Sequence, residues 1–244
     1  MSQDTGNFSV DLTKLLEAGV HFGHQSRRWH PKMSRFIWQE RDGVHIFDLI
    51  KTVEALQKAC ESVKQDIKAG KSIVFVGTKR QAAPIVKEEA ERAGVHYVTS
   101  RWAGGTITNW DQIKVSIKRL TELKKGLAEK KFQHLTKKER VLLDKEVTRL
   151  ERLFAGLEGM ETPPDMLYIV DITREKAAVK EAKAAGIKMY ALLDTNANPE
   201  LVDYPIPGND DAVRSIKLLT SIFTDAVIEG KALAQRKEEK KETK

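Results

Sequence analysis

Two groups of side chains in this sequence have the types and placement for chemistry. The first is Gly77-Thr78-Lys79-Arg80, which follows the apolar run Ile73-Val74-Phe75-Val76, together with Asp171 and Asp194, each just past another apolar run. These positions fall on the carboxyl edge, where open parallel sheets hold their ligands. Backbone amides and two cations at a helix start suit a phosphate. Paired carboxylates, joined by Asp210 and Asp211, suit acid-base work or a magnesium ion. The spacings argue otherwise. A Walker loop needs Gly-x-x-x-x-Gly-Lys-Ser/Thr and a dinucleotide loop needs Gly-x-Gly-x-x-Gly, and neither occurs here. Gly77 is therefore read as a chain turn, with Lys79 and Arg80 facing a phosphodiester or solvent. Asp and Asn are favoured at helix starts and turns, so capping is the expected role of the aspartates and of Asn209. No nucleophile is paired with a base, and no catalytic residue, cofactor or small-molecule substrate is expected.

The second group is basic. Residues 21–38 contain Arg27, Arg28, Lys32 and Arg35 without one acidic residue, interleaved with Trp29, Phe36 and Trp38. Guanidinium groups neutralise phosphates and aromatic rings stack on unpaired bases, so the segment suits RNA. The alternative is a solvated loop whose aromatics anchor it to the domain. His21, His24 and His30 have the short spacing of metal ligands, but no cysteine joins them and no helix orders them, so no metal is expected. Cys60 is the only cysteine, which excludes an internal disulfide and any multi-thiolate site.

Charge is segregated in the same sense. The chain of 244 residues carries a formal +7. Thirteen basic and eight acidic residues fall in 108–159, and six and three in 231–244, so that everything outside these two blocks and 21–38 is net acidic. A polyanionic partner follows more from this distribution than from the total. No apolar run approaches the roughly 18 residues that cross a bilayer, and the polar start Met1-Ser2-Gln3-Asp4 lacks a secretory core, so a cytoplasmic location is expected.

The elements that must position these residues repeat one pattern. An apolar stripe at Leu49, Val53, Leu56, Cys60, Val63 and Ile67 predicts a helix capped by Asp48 and stopped at Gly70; strand 73–76 and a helix opening at Thr78 follow. Ala93-Gly94 and Ala185-Gly186 likewise stop helices ahead of strands 96–99 and 189–193, and 167–170 is a further strand. With a short fifth strand near 201–204, the prediction is an α/β, flavodoxin-like doubly wound parallel sheet of about five strands. Upstream, a short helix at 11–18 is expected with Ser9 as its cap, then an irregular stretch, then a hairpin over 36–47 that turns at Asp42-Gly43.

Between 108 and 159 the alternation stops. Trp110, Ile113, Ile117, Leu120 and Leu127 form one stripe, with Lys124 beside Leu123 in the remaining heptad slot; Leu143, Val147, Leu150, Phe154 and Leu157 form another behind a capping box at Thr136 and Glu139. The expectation is an inserted antiparallel coiled-coil helical hairpin that buries its stripes internally and is removable without unfolding the sheet. The domain reading is a discontinuous α/β unit over 1–107 and 160–230, the hairpin at 108–159, and a charged, disordered tail at 231–244.

Ordered motifs along the chain resemble one family. They are His21-Phe22-Gly23-His24-Gln25 with Arg27-Arg28-Trp29 and Pro31-Lys32-Met33; Gly77-Thr78-Lys79 with Gln81; Arg101-Trp102 with Gly104-Gly105 and Thr108-Asn109; Pro164-Asp165; Asp194-Thr195-Asn196; and Pro205-Ile206-Pro207-Gly208-Asn209-Asp210-Asp211-Ala212 with Arg214-Ser215-Ile216. Together they are similar to the bacterial form of the second protein of the small ribosomal subunit. Ser26, His30, Ala103 and Ile107 are mild departures inside them. The resemblance implies a non-catalytic protein near the junction of head and body, with ribosomal RNA and neighbouring ribosomal proteins as partners, among them the large protein that captures messenger RNA. It also implies RNA contacts at Arg27, Arg28, Lys32, Lys79, Arg80, Arg101 and Asn109, to which the basic and aromatic pattern of 21–38 adds Trp29 and Arg35. The competing class is a nucleotide-binding or hydrolytic enzyme using the carboxyl edge of the same sheet.

Overall fold

The computed structural model describes residues 10–132 and 135–242, with backbone only over 237–242. Five strands, β4 (Ile73–Val76), β5 (His96–Val98), β6 (Met166–Val170), β7 (Lys188–Leu193) and β8 (Tyr204–Pro207), form one sheet in the order β5-β4-β6-β7-β8, each neighbouring pair parallel. This is the flavodoxin-like order, in which the chain reverses direction across the sheet between β4 and β6.

Every residue of β4 and β6 is buried, and the pleat sends alternate side chains into two cores. Ile73, Phe75, Tyr168, Tyr190 and Leu192 pack under helices α1 (Leu12–Glu17), α2 (Leu49–Lys68), α3 (Ala83–Ala93) and α7 (Val213–Glu242). Tyr168 stacks on Phe223 of α7 at 4.4 Å between ring centroids. Val74, Val76, Leu167, Ile169, Ala191 and Leu193 face the other way, under α6 (Lys176–Ala184) and the chain between β5 and β6.

Several expectations need correction. The fifth strand lies at 204–207, not 201–204: Pro205 and Pro207 cannot donate to a ladder, and β8 tolerates them because it is an edge strand paired only with β7. The irregular stretch contains a strand, β1 (Phe22–Gln25), which joins β2 (Ile37–Arg41) and β3 (Val44–Phe47) in an antiparallel sheet of order β1-β3-β2. Asp42 and Gly43, both at positive φ, make the turn between β2 and β3. Asp11, whose carboxylate accepts from the Thr13 amide, caps α1; Ser9 lies outside the described residues. Helix α3 begins at Ala83, after Thr78, with Pro84 in its first turn. Helix α7 carries on through Gly230 to Glu242 across the expected tail.

Between β5 and β6 lie two helices, α4 (Trp110–Ala128) and α5 (Lys137–Phe154), that pack on one another, and the Thr136–Glu139 capping box is present. The first stripe runs through Leu123, while Leu127 is exposed and Lys124 bridges Glu151 and Glu158. The stripes do not bury only one another. Trp102, Ile107, Trp110, Phe154 and Leu157 belong to the same buried cluster as Val74, Val98 and Leu167, so the base of the hairpin is part of the sheet's core. Excising 110–157 should therefore destabilise the sheet. The seam is tight at Gly156, where an added Cβ would stand 2.2 Å from the Tyr97 carbonyl oxygen of β5. Gly156→Ala should cost about 2–3 kcal/mol in urea unfolding, since backbone against backbone leaves little to relax. An unchanged midpoint would contradict this packing.

Candidate nucleic-acid interface

At the carboxyl edge, the first amides of the turn after β4 are already bonded, that of Gly77 to the Val98 carbonyl. The Thr78 amide donates to Glu175 Oε1 at 3.0 Å, and the Thr78 hydroxyl donates to the same oxygen. A Cβ on Gly77 would meet Val86 Cγ2 at 2.7 Å, so this glycine serves close packing of β4 on α3. Glu175 is buried, and that burial pushes its carboxyl up.

Lys79 turns inward. Its Nζ lies 2.6 Å from Asp210 Oδ1, 2.6 Å from Asp211 Oδ1 and 3.6 Å from Asp171 Oδ2. Burial opposes the charge, but the three carboxylates together raise the ammonium's pKa well above its ordinary value. Lys79 is thus an internal cation whose charge is already met by carboxylates. Asp210, only 1% exposed, is pushed up to about 7 by burial and by Asp194 and Asp171, against the pull of Lys79. Asp171 and Asn209 brace turns ahead of the helices and do not cap them: Asp171 Oδ1 accepts from the Thr173 and Arg174 amides before α6 starts at Lys176, and Asn209 Oδ1 accepts from the Asp211 and Ala212 amides before α7 starts at Val213.

His24 of β1 packs against this cluster. Its Nδ1 is 3.0 Å from Asp194 Oδ2 and its Nε2 is 3.5 Å from Asp211 Oδ2, and the hydrogen bond to Asp194 raises its pKa against burial. Raised values in His24 and Asp210 mean that the native state holds more protons than the unfolded chain. Their stabilisation is complete at low pH and is lost as pH rises, from about 4 to 7 for Asp210 and above 6.5 for His24. Urea unfolding in chelator-containing buffer should show Asp210→Asn recovering stability relative to the native chain between pH 5 and 8. Parallel pH profiles would contradict the assignment.

The remaining expected contacts divide. Among the described residues Arg27, Arg28, Arg35, Arg80 and Arg101 form no ion pair, and all five are exposed. Arg27 Nε donates to Gln25 Oε1 at 3.1 Å, and Arg35 lies over the Phe36 ring at 4.7 Å. Lys32 is ion-paired to Glu200 and so is partly neutralised. Trp29 is 39% exposed and lies tilted 5.1 Å from the His45 ring. Asn109 is exposed at the start of α4 and its side chain caps nothing.

One organising residue escaped sequence reasoning. Glu181 of α6 accepts from Trp102 Nε1, from the amides of Gly105, Ile107 and Thr108, and from the Thr108 hydroxyl. Burial alone would raise its carboxyl, but these donors hold it below the usual carboxylate range. Glu181 thereby folds the loop that follows Arg101. Nothing in the sequence separates it from the other acidic residues of an amphipathic helix. Glu181→Ala should cost at least about 2 kcal/mol and loosen RNA binding through Arg101, as measured by thermal melts and filter binding.

The Thr78 amide and Lys79 are thus engaged internally, while the five arginines form no ion pair among the described residues. A family model described as Ribosomal protein S2 matches residues 15–230. The chain belongs to the ribosomal protein S2 family. This S2-family chain is similar to "Small ribosomal subunit protein uS2" of Dictyoglomus thermophilum, 51% identical over 225 residues covering 92% of each chain. It is also 50% identical over 222 residues to the protein of that description in Coprothermobacter proteolyticus, covering 91% of this chain and 83% of the relative.

Proposed function

We propose that the protein is a non-catalytic, structural constituent of the small ribosomal subunit in the cytoplasm, held to ribosomal RNA by Arg27, Arg28, Arg35, Arg80 and Arg101. The observation that carries the reading is the division of charge at the carboxyl edge: Lys79 and the Thr78 amide are spent on internal carboxylates, whereas the five arginines form no ion pair among the described residues. Trp29 and Asn109 add a ring face and an amide to the same surface. Arg27→Lys tests it, because lysine keeps the charge but not the planar fork that grips a phosphate twice. Filter binding to small-subunit ribosomal RNA should weaken severalfold. Equal binding would reduce Arg27 to a general charge.

Neighbouring ribosomal proteins need a different surface. Leu12, Leu16, Phe22, Trp38 and Ile50 are exposed, and all but Leu12 line a cavity of about 650 Å³ between the antiparallel sheet, the end of α1 and the start of α2. This patch is apolar where an RNA contact needs charge, so a protein neighbour fits it. The large messenger-capturing protein named by the family resemblance is the occupant to test. Trp38→Asp should lower its retention on purified subunits while leaving RNA affinity unchanged.

A further inference from the structure

His45 is a buried polar side chain that the chain itself leaves without a partner. It lies on β3, the central strand of the antiparallel sheet, opposite Glu40 of β2, and is 7% exposed. Among the described residues neither its Nδ1 nor its Nε2 has a hydrogen-bond partner. A neutral imidazole carries one donor and one acceptor, and folded chains seldom leave both buried and unpaired. His45 and Phe47 are the two buried positions of β3, and Phe47 belongs to the hydrophobic core. An apolar residue would therefore serve the fold better at position 45 than histidine does.

The ring lies behind Trp29. The indole stands 5.1 Å from it, tilted by 43°, and is itself 39% exposed. The backbone around Trp29 is pinned: its amide donates to the Ser26 carbonyl at 3.4 Å, the Ser26 amide to the Gly43 carbonyl at 2.9 Å, and the His30 amide to the Thr195 carbonyl at 2.7 Å. The indole can leave by turning about its own side-chain bonds, a rotamer change that needs no movement of the loop. Arg27 and Arg28, exposed and without ion pairs, stand immediately before it.

We infer that His45 is a nucleotide-reading group behind Trp29: the indole turns outward to stack on an unpaired base of the RNA, and the polar edge of that nucleotide supplies the partners that the uncovered imidazole lacks. Stacking on an aromatic ring tolerates any base, whereas a buried imidazole demands a donor or acceptor in one place, so the pair adds selection to a contact that arginines only hold. The inference rests on the proposed RNA reading of the arginine segment and deepens it.

His45→Phe keeps a flat ring against Trp29 and removes both polar atoms, and His45→Leu repeats the change with another shape. Each should unfold at the same urea concentration as the native chain or a higher one, because nothing inside the chain bonds the imidazole. In filter binding to small-subunit ribosomal RNA at pH 8, where free imidazole is uncharged, each should bind about fivefold more weakly. The slope of log affinity against log salt should not change, since no phosphate contact is lost. Trp29→Ala should weaken binding about tenfold at the same slope. None of the three should alter binding to a fully paired RNA duplex, which offers no splayed base. Carbethoxylation of His45, read by mass spectrometry, should be slow in the native chain and fast in folded Trp29→Ala. Unchanged ribosomal RNA affinity in both His45 variants overturns the inference. So does a loss of stability in both, which would mean that the imidazole is already bonded within the fold, or a His45 that stays unreactive in folded Trp29→Ala. In each of these cases an arginine-dependent salt slope would leave the RNA reading standing, whereas a native chain with no salt-dependent RNA binding would sink both.

Discussion

Alanine at Arg27, Arg28, Arg80 and Arg101 together should flatten the dependence of log RNA affinity on log salt by about 3 to 4, and weaken binding at moderate salt by roughly two to three orders of magnitude. Each guanidinium that neutralises a phosphate releases counterions, and these four form no internal ion pair that would discount the effect. They are exposed, so the folded state should survive; thermal melts check that. Lys32 and Lys79 serve as controls of opposite kinds. Lys32→Ala should change the slope by less than one arginine does, because Glu200 already balances it. An unchanged slope in the folded fourfold variant would move the RNA interface off this edge, toward the lysines of the hairpin.

Lys79→Met carries the second large effect, and it falls on stability. The substitution leaves Asp210, 1% exposed, without its cation among three other aspartates, a change that typically costs about 3–5 kcal/mol in a buried pair. Asp210→Asn in the same background should restore much of the loss, because a neutral amide does not demand the missing charge. The penalty should also shrink toward pH 5, where Asp210 takes up a proton. Urea unfolding of the single and double variants reads both effects. A cost below about 1 kcal/mol would mean that the network is solvated and weak.

The parts of the fold legible in the sequence were those decided locally. The α2 stripe, the glycines at positive φ behind helices (Gly70, Gly94, Gly186), and the Asp42-Gly43 turn are read from neighbouring residues, and each is in place. Strand β1 was hidden because its pairing to β3 is non-local and its residues His24 and Gln25 face the carboxyl edge and solvent instead of a core. Strand β8 was displaced by its two prolines. The hairpin's stripes were visible, but their continuation into the sheet depends on Trp102, Ile107 and Gly156, which have no period of their own.

The site was legible as composition and not as geometry. Arg27, Arg28, Arg80 and Arg101 are exposed, as a basic surface requires. Lys79 sits next to the exposed Arg80 in the chain yet turns inward, because Asp210 and Asp211 wait more than 130 residues downstream. Glu175 and Glu181 act through bonds to segments 73–97 residues away. Long-range partners of this kind leave no spacing to read.

The most direct measurement of the central claim is sedimentation of the tagged full chain in a cell extract. The account predicts that it travels with the small ribosomal subunit at low salt and is released to the top of the gradient at high salt, with the fourfold arginine variant released at markedly lower salt. A folded chain that stays in the free-protein fraction at every salt concentration would contradict it.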